Sequence, residues 1–190
     1  YRRQRQMCIR DSTLTCNSIY LRQIMQQYAA GKSDDLAYRL ARRNAHNADA
    51  ALSTTLANML MEPGHFRKEA DVGFRFLVLS HTLLSYLSGL GAHRETRLPD
   101  EVREHLIEGA GVSLAASIDE IAQGLANKTP IDIQSDAEEA LANELEQMPD
   151  EVDEGQRLVQ TQLALICRQL GPLRTLAAHL IKDTSDNAKP

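Results

Sequence analysis

The sequence predicts an all-α fold, a bundle of five to six helices that are mostly long and antiparallel. Three observations carry this expectation. Hydrophobic residues make up 43% of the 190 residues, yet aromatics make up only 4% and Trp is absent. Ala, Leu, Gln, Glu and Arg dominate instead, and these residues lose little conformational freedom in a helix. Apolar positions recur at spacings of three and four over long stretches. No hairpin is signalled, and Pro130–Gln134 (PIDIQ) is the one strand-like fragment. The length suits one core with a small appendage.

Taken in order, the first helix is expected from about Thr13 to Ala30, with Leu14, Ile19, Leu21, Ile24, Met25 and Tyr28 apolar and Gly31 at its C′ position. The second starts at the N-cap Ser33, with Asp34 and Asp35 at the positive end of the helix dipole. It carries a stripe of Leu36, Leu40, Ala48, Leu52, Leu56, Met59 and Leu60 and stops at Pro63-Gly64. The third runs from Phe66 or Lys68 to Leu90. Its stretch Phe76–Ala92 has no charged residue and approaches the shortest membrane span. Ser80, His81, Thr82, Ser85, Ser88 and the abutting Arg75 favour a helix buried among others, at the centre of the bundle.

Gly91–Leu98 reads as a basic connector. Pro99 suits N1 of a fourth helix reaching about Ala126, with Gly109 and Gly111 weakening its middle. A turn at Asn127–Asp132 leads to a short acidic helix over Ser135–Gln147 and an acidic loop. The last helix spans Val152–Ile181, broken or kinked near Leu170 by Gly171-Pro172. The domain is expected over 13–182, with a frayed tail at 183–190. Residues Tyr1–Ser12 resemble translated adaptor sequence at the ends of shotgun-assembled reads. They are set apart as a non-native or disordered tail, a native basic tail being the alternative, and the chain is expected to begin inside a longer reading frame.

Charge is divided along the chain. Between Asp100 and Gly155 stand 16 acidic and two basic residues, a net of −14, against ten acidic and 19 basic elsewhere, a net of +9. One acidic and one basic surface are implied. Cys8, Cys16 and Cys167 form no CxxC pair and no even framework, which suggests a reducing compartment.

Arg39, Arg42, His46, Asp49 and Ser53 lie at spacings of three and four on the second helix and form a polar stripe. The stripe suits an anion or an acidic partner, or else a solvated face with His46 pairing to Asp49; Arg43 sits off the line. Glu62 and His65 have ExxH spacing, but Pro63-Gly64 interrupts their shared face and the motif occurs once, so no metal is expected. His81 among leucines reads as a hydrogen-bonded core histidine. Carboxylates between Glu138 and Glu154 read as a solvated face, with nothing apolar to raise a pKa. No GxSxG or cysteine–histidine signature occurs. Gly31-Lys32-Ser33 lacks the first glycine of a phosphate loop, Gln26 standing there, and follows a helix rather than a strand. No catalytic residue and no cofactor is implied. DNA binding fits poorly, because the helices are too long for a helix-turn-helix and the acidic half would repel phosphates.

Three stretches carry a resemblance: YLRQIMQQY, GKSDDLAYRLARRNAHNADAALSTTLANMLMEPGHFRK and GFRFLVLSHTLLSYLSGLGAHR. From about Ser18 to Arg94 the chain resembles the C-terminal cytoplasmic region of YccS/YhfK-type inner-membrane proteins, within the fusaric acid resistance group of aromatic-acid exporters. The resemblance fades after Leu98. It implies a cytoplasmic domain of an inner-membrane efflux transporter, with an assembly or regulatory role and no catalysis of its own. The implied partners are the protein's own transmembrane part, a second copy of the chain and, for the whole protein, small aromatic carboxylates; nucleic acid is not expected. Arg39, Arg42, His46 and Asp49 are the expected anion or partner contacts. The alternative is a free-standing helical ligand-binding or DNA-binding regulator.

Overall fold

The computed structural model describes residues 2–30, 35–61, 67–147 and 152–186. Among them every regular element is helical: α1 (Arg2–Ala30), α2 (Asp35–Leu60), α3 (Arg67–Ala92), α4 (Asp100–Arg103), a π-helical segment (Glu104–Gly111), α5 (Val112–Asn127), α6 (Asp136–Glu146) and α7 (Glu154–Asp186). The all-α bundle is borne out. The expected cap at Gly31, the N-cap Ser33, the break at Pro63-Gly64 and the Glu62/His65 spacing lie outside the described residues.

Successive rods run antiparallel. His46 on α2 meets Ser88 on α3, and Asp49 meets His81, so one index rises as the other falls. Helices α1 and α3 are parallel, since Arg10 lies over Phe76 and Tyr28 bonds the carbonyl of Leu90. Gln162 lies beside Gly89 and Gln169 bonds Leu79, which sets α7 antiparallel to α3.

The central helix is α1, not α3 as the hydrophobic pattern suggests. Helix α1 packs against α2, α3, α5 and the π segment. Its buried set is Leu14, Tyr20, Leu21, Ile24, Met25 and Tyr28, joined by the polar Thr13, Asn17, Ser18 and Gln27. These polar groups blur the periodicity of a helix enclosed on most sides. The Ser18 hydroxyl donates to Ala115 O at 3.1 Å. The helix also begins at Arg2 rather than near Thr13. Ile9 packs on the core and Arg10 is buried, its guanidinium 5.8 Å from the Phe76 ring centroid, so the first helix extends into the segment set apart as a tail.

Helix α3 buries one face: Phe76, Ser80, Leu83, Leu84, Leu87 and Leu90. Leu77 and Leu79 are only partly covered, and Phe74 stays 55% exposed. On α2 the inward residues are Tyr38, Ala41, Ala45, Leu52 and Leu56, while Leu36 is 66% exposed and Leu40 also faces out. Ala41 and Ala45 add little bulk where α2 packs on α1, a small-residue seam that a search for large apolar side chains passes over.

Pro99 is the N-cap of α4, one position earlier than expected, with Asp100 and Glu101 in the first turn. The weakening expected at Gly109 and Gly111 takes the form of a π-helical stretch rather than a break. A side chain at Gly111 would collide with the Met25 side chain of α1, so Met25 would have to shift to admit one. The turn after α5 is made by Lys128 in the left-handed region (φ 56°), and Thr129 N donates to Gly124 O at 3.1 Å. Ser135 caps α6, its hydroxyl accepting from Glu138 N at 3.3 Å. Helix α7 runs unbroken through Pro172 to Asp186. An internal proline costs a helix about 3 kcal/mol, but here Leu170, Leu173, Ala177, Leu180 and Ile181 anchor both sides of it in the core.

Candidate functional site

The stripe Arg39, Arg42, His46, Asp49 and Ser53 is divided by the packing. His46 does not pair with Asp49. Its Nε2 lies 3.4 Å from the Ser88 hydroxyl, and the Asp49 carboxylate bonds His81 Nδ1 at 2.9 Å. Both residues thus face the α2–α3 seam, while Arg39 and Arg42 stand exposed. His81 is hydrogen-bonded as expected, but its side chain is 65% exposed, so it is not a core histidine. It lies on the outward side of α3, away from the face led by Leu83 and Leu87.

Where α1, α2 and α3 converge, three tyrosines meet. Tyr20 and Tyr38 hydroxyls lie 3.3 Å apart, Tyr38 donates to Gly91 O at 3.3 Å, and Tyr28 donates to Leu90 O at 2.9 Å. Gly91 makes room for this: a Cβ there would stand 2.7 Å from the Tyr38 hydroxyl and 3.0 Å from that of Tyr20. Burial raises the phenols of Tyr20 and Tyr28 well above their ordinary value. They are neutral hydrogen-bonding groups at physiological pH, not bases.

Arg94 closes this corner. Its guanidinium sits 4.5 Å from the Tyr38 ring centroid and donates to Gly91 O at 3.1 Å. Beside it opens a cavity of about 500 Å³ between the last turn of α1 and the 93–99 connector, lined by Arg94, Arg97 and Arg103 together with Glu95. The basic connector was legible in the sequence; its folding back over α1 was not.

A second polar centre joins α5, α6 and α7. Arg174 of α7 is 2% exposed. Its Nε lies 3.0 Å from both oxygens of Glu138, and its Nη2 reaches Glu138 Oε1 at 2.6 Å and Glu120 Oε2 at 2.7 Å. Burial opposes the charge on Arg174, but the bonds to Glu138 and Glu120 outweigh it and raise the guanidinium above its ordinary value. Hydrogen bonding from Arg174 lowers the Glu120 carboxyl. Glu138 was expected on a solvated acidic face; its side chain is instead 11% exposed and pinned to α7. Arg174 shares a face with Leu170, Ala177 and Ile181, a charge on an apolar stripe, and that was the available signal. A groove of about 420 Å³ runs over this centre, spanned by His105 Nε2 to Glu144 Oε1 at 3.1 Å.

Among the described residues no cluster of three or more His, Cys, Asp or Glu side chains could hold a metal ion. Among the same residues no helix is long and apolar enough to cross a membrane.

The arrangement defines a helical domain with a basic corner and an acidic flank, joined through one core. The chain is similar to the inner membrane protein YccS of Escherichia coli K12, with 46% identity over 86 residues, 45% of this chain and 12% of YccS. It is also similar to a protein of Haemophilus influenzae described as uncharacterized, with 49% identity over 87 residues, 46% of this chain and 12% of that protein. A third relative, described as uncharacterized protein ORF2 of Neisseria gonorrhoeae, is 37% identical over 78 residues, 40% of this chain and 19% of its own length. The match thus covers a small part of each relative, and the resemblance to a YccS-type region is borne out. No family model and no solved structure matches the chain.

Proposed function

We propose that this chain is the water-facing domain of a YccS-type inner-membrane protein of the fusaric acid resistance group, held on the cytoplasmic side of the membrane. Its role is assembly or regulation of an efflux transporter, with no catalysis of its own. The observation that carries the reading is the similarity to an inner membrane protein over nearly half of the chain. The surface supports it: most large apolar side chains gather into one core, with Leu36, Leu60 and Phe74 among those left outside, and arginines and carboxylates cover much of the rest. The partners are the transmembrane part of the same protein and a second copy of the domain, with Arg39 and Arg42 as exposed contacts for an acidic surface. Small aromatic carboxylates are the substrates of the whole protein.

Deletion of this region from the full-length parent tests the role. Loss of the cross-linked oligomer, or altered export of a small aromatic acid with the membrane part still inserted, is expected. Unchanged assembly and unchanged export would reject the proposal.

A further inference from the structure

The cavity beside Arg94 has mainly cations among its charged lining groups, where the groove over Arg174 has mainly carboxylates. Its volume of about 500 Å³ falls in the range of small-molecule sites, roughly 300–1,000 Å³. Three guanidiniums and one carboxylate line it, from Arg94, Arg97, Arg103 and Glu95, an excess of two positive charges. Tyr28 and Leu98 add apolar wall; the Tyr28 hydroxyl is already engaged with Leu90 O.

The arginines retain donors. A guanidinium carries five N–H groups in a planar fork that matches phosphate oxygens. Arg94 is pre-oriented by the Tyr38 ring and gives Nη1 to Gly91 O. Arg103 pairs with Asp100 through Nη1 at 2.8 Å, but that aspartate is 90% exposed, so the bond is easily exchanged. The Nε of Arg103 is buried with no hydrogen-bond partner among the described residues. Arg97 is exposed. We propose that this cavity binds a phosphate-type dianion, held by Arg94, Arg97 and Arg103. A phosphate monoester carries close to two negative charges at neutral pH, which matches the lining.

The competing structural role for these arginines is to face the carbonyl ends of α1 and α3, as Arg94 does at Gly91. That role needs no ligand. The proposal stands on the cavity itself and is independent of where the domain sits in a larger protein.

Titration of the 190-residue chain separates the two. The probes are inorganic phosphate and vesicles of phosphatidic acid in phosphatidylcholine, with phosphatidylcholine vesicles as blank. Binding should weaken at least about tenfold in Arg97→Gln, with an unchanged melting midpoint, and stay unchanged in Arg43→Gln on α2. Arg103→Gln is the second variant should Arg97→Gln lower the melting midpoint. Binding of phosphate by this pattern assigns a free anion, and binding of the vesicles alone assigns a lipid headgroup; either supports the site. Absence of binding to both probes, or equal weakening by Arg43→Gln, would overturn it.

Discussion

Replacing Arg174 by Met should destabilise the protein more than any other single charge removal described above. The substitution keeps an unbranched side chain in the space between α5, α6 and α7 but leaves Glu138 without its counter-charge. That carboxylate is 11% exposed and loses its three bonds from Nε and Nη2. Breaking a buried ion pair from one side costs about 3–5 kcal/mol. The lower end applies, because Glu138 keeps some access to water. The Glu120 branch is 56% exposed and adds less than about 1 kcal/mol. The expected loss is therefore about 3 kcal/mol, read from urea unfolding followed by circular dichroism at neutral pH. The double variant Arg174→Met/Glu138→Leu removes both charges and should recover much of the loss, because apolar replacements of buried pairs are often neutral. Acid dependence supplies a further check. Arg174 holds Glu120 below its ordinary value of 4.5, so this contribution is complete above that pH and fades as the pH falls through the lower folded-state value. The variant should lose that part of the acid sensitivity. A single variant within about 1 kcal/mol of the parent, or a double variant as unstable as the sum of its singles, would refute the reasoning.

Other outcomes follow from the same geometry. Gly111→Ala drives a methyl into Met25 and should cost about 1–3 kcal/mol. Gly109→Ala, whose Cβ would make only an ordinary 3.6 Å contact, should be neutral or stabilising by up to about 1 kcal/mol; thermal melts of the pair compare them. Ser135→Ala removes the cap on α6 and should cost about 1 kcal/mol by the same assay. For the thiols, burial and then the nearby Glu138 push Cys167 up to about 11, and burial also raises Cys16. A disulfide reagent at mildly alkaline pH should label exposed Cys8 fast, Cys16 slowly and Cys167 only on unfolding. Rapid labelling of Cys167 in the folded protein would contradict its placement.

The sequence was most informative where a single residue type decides local geometry. Pro99, and Gly109 with Gly111, mark the start of α4 and the weak stretch that precedes α5, and the short acidic helix expected from Ser135 is α6 within a position. It was least informative where packing decides. Buried polar residues on α1, such as Asn17 and Ser18, hid the central helix, while the leucines of α3 suggested one that is covered on a single face. Pro172 reads as a helix break in isolation, but core burial on both sides carries α7 through it. The α2 stripe follows helical spacing, yet spacing alone does not say that His46 and Asp49 turn toward Ser88 and His81. The Arg174 centre joins three helices that are far apart in sequence, so only the odd charge on an apolar face pointed to it.

The proposed cytoplasmic placement is tested most directly by topology reporters fused to the C-terminus of a full-length YccS-type parent. A bundle on the cytoplasmic side gives a fluorescent green fluorescent protein fusion and an inactive alkaline phosphatase fusion. A dark fluorescent fusion with active phosphatase would put the bundle on the opposite side of the membrane and contradict it.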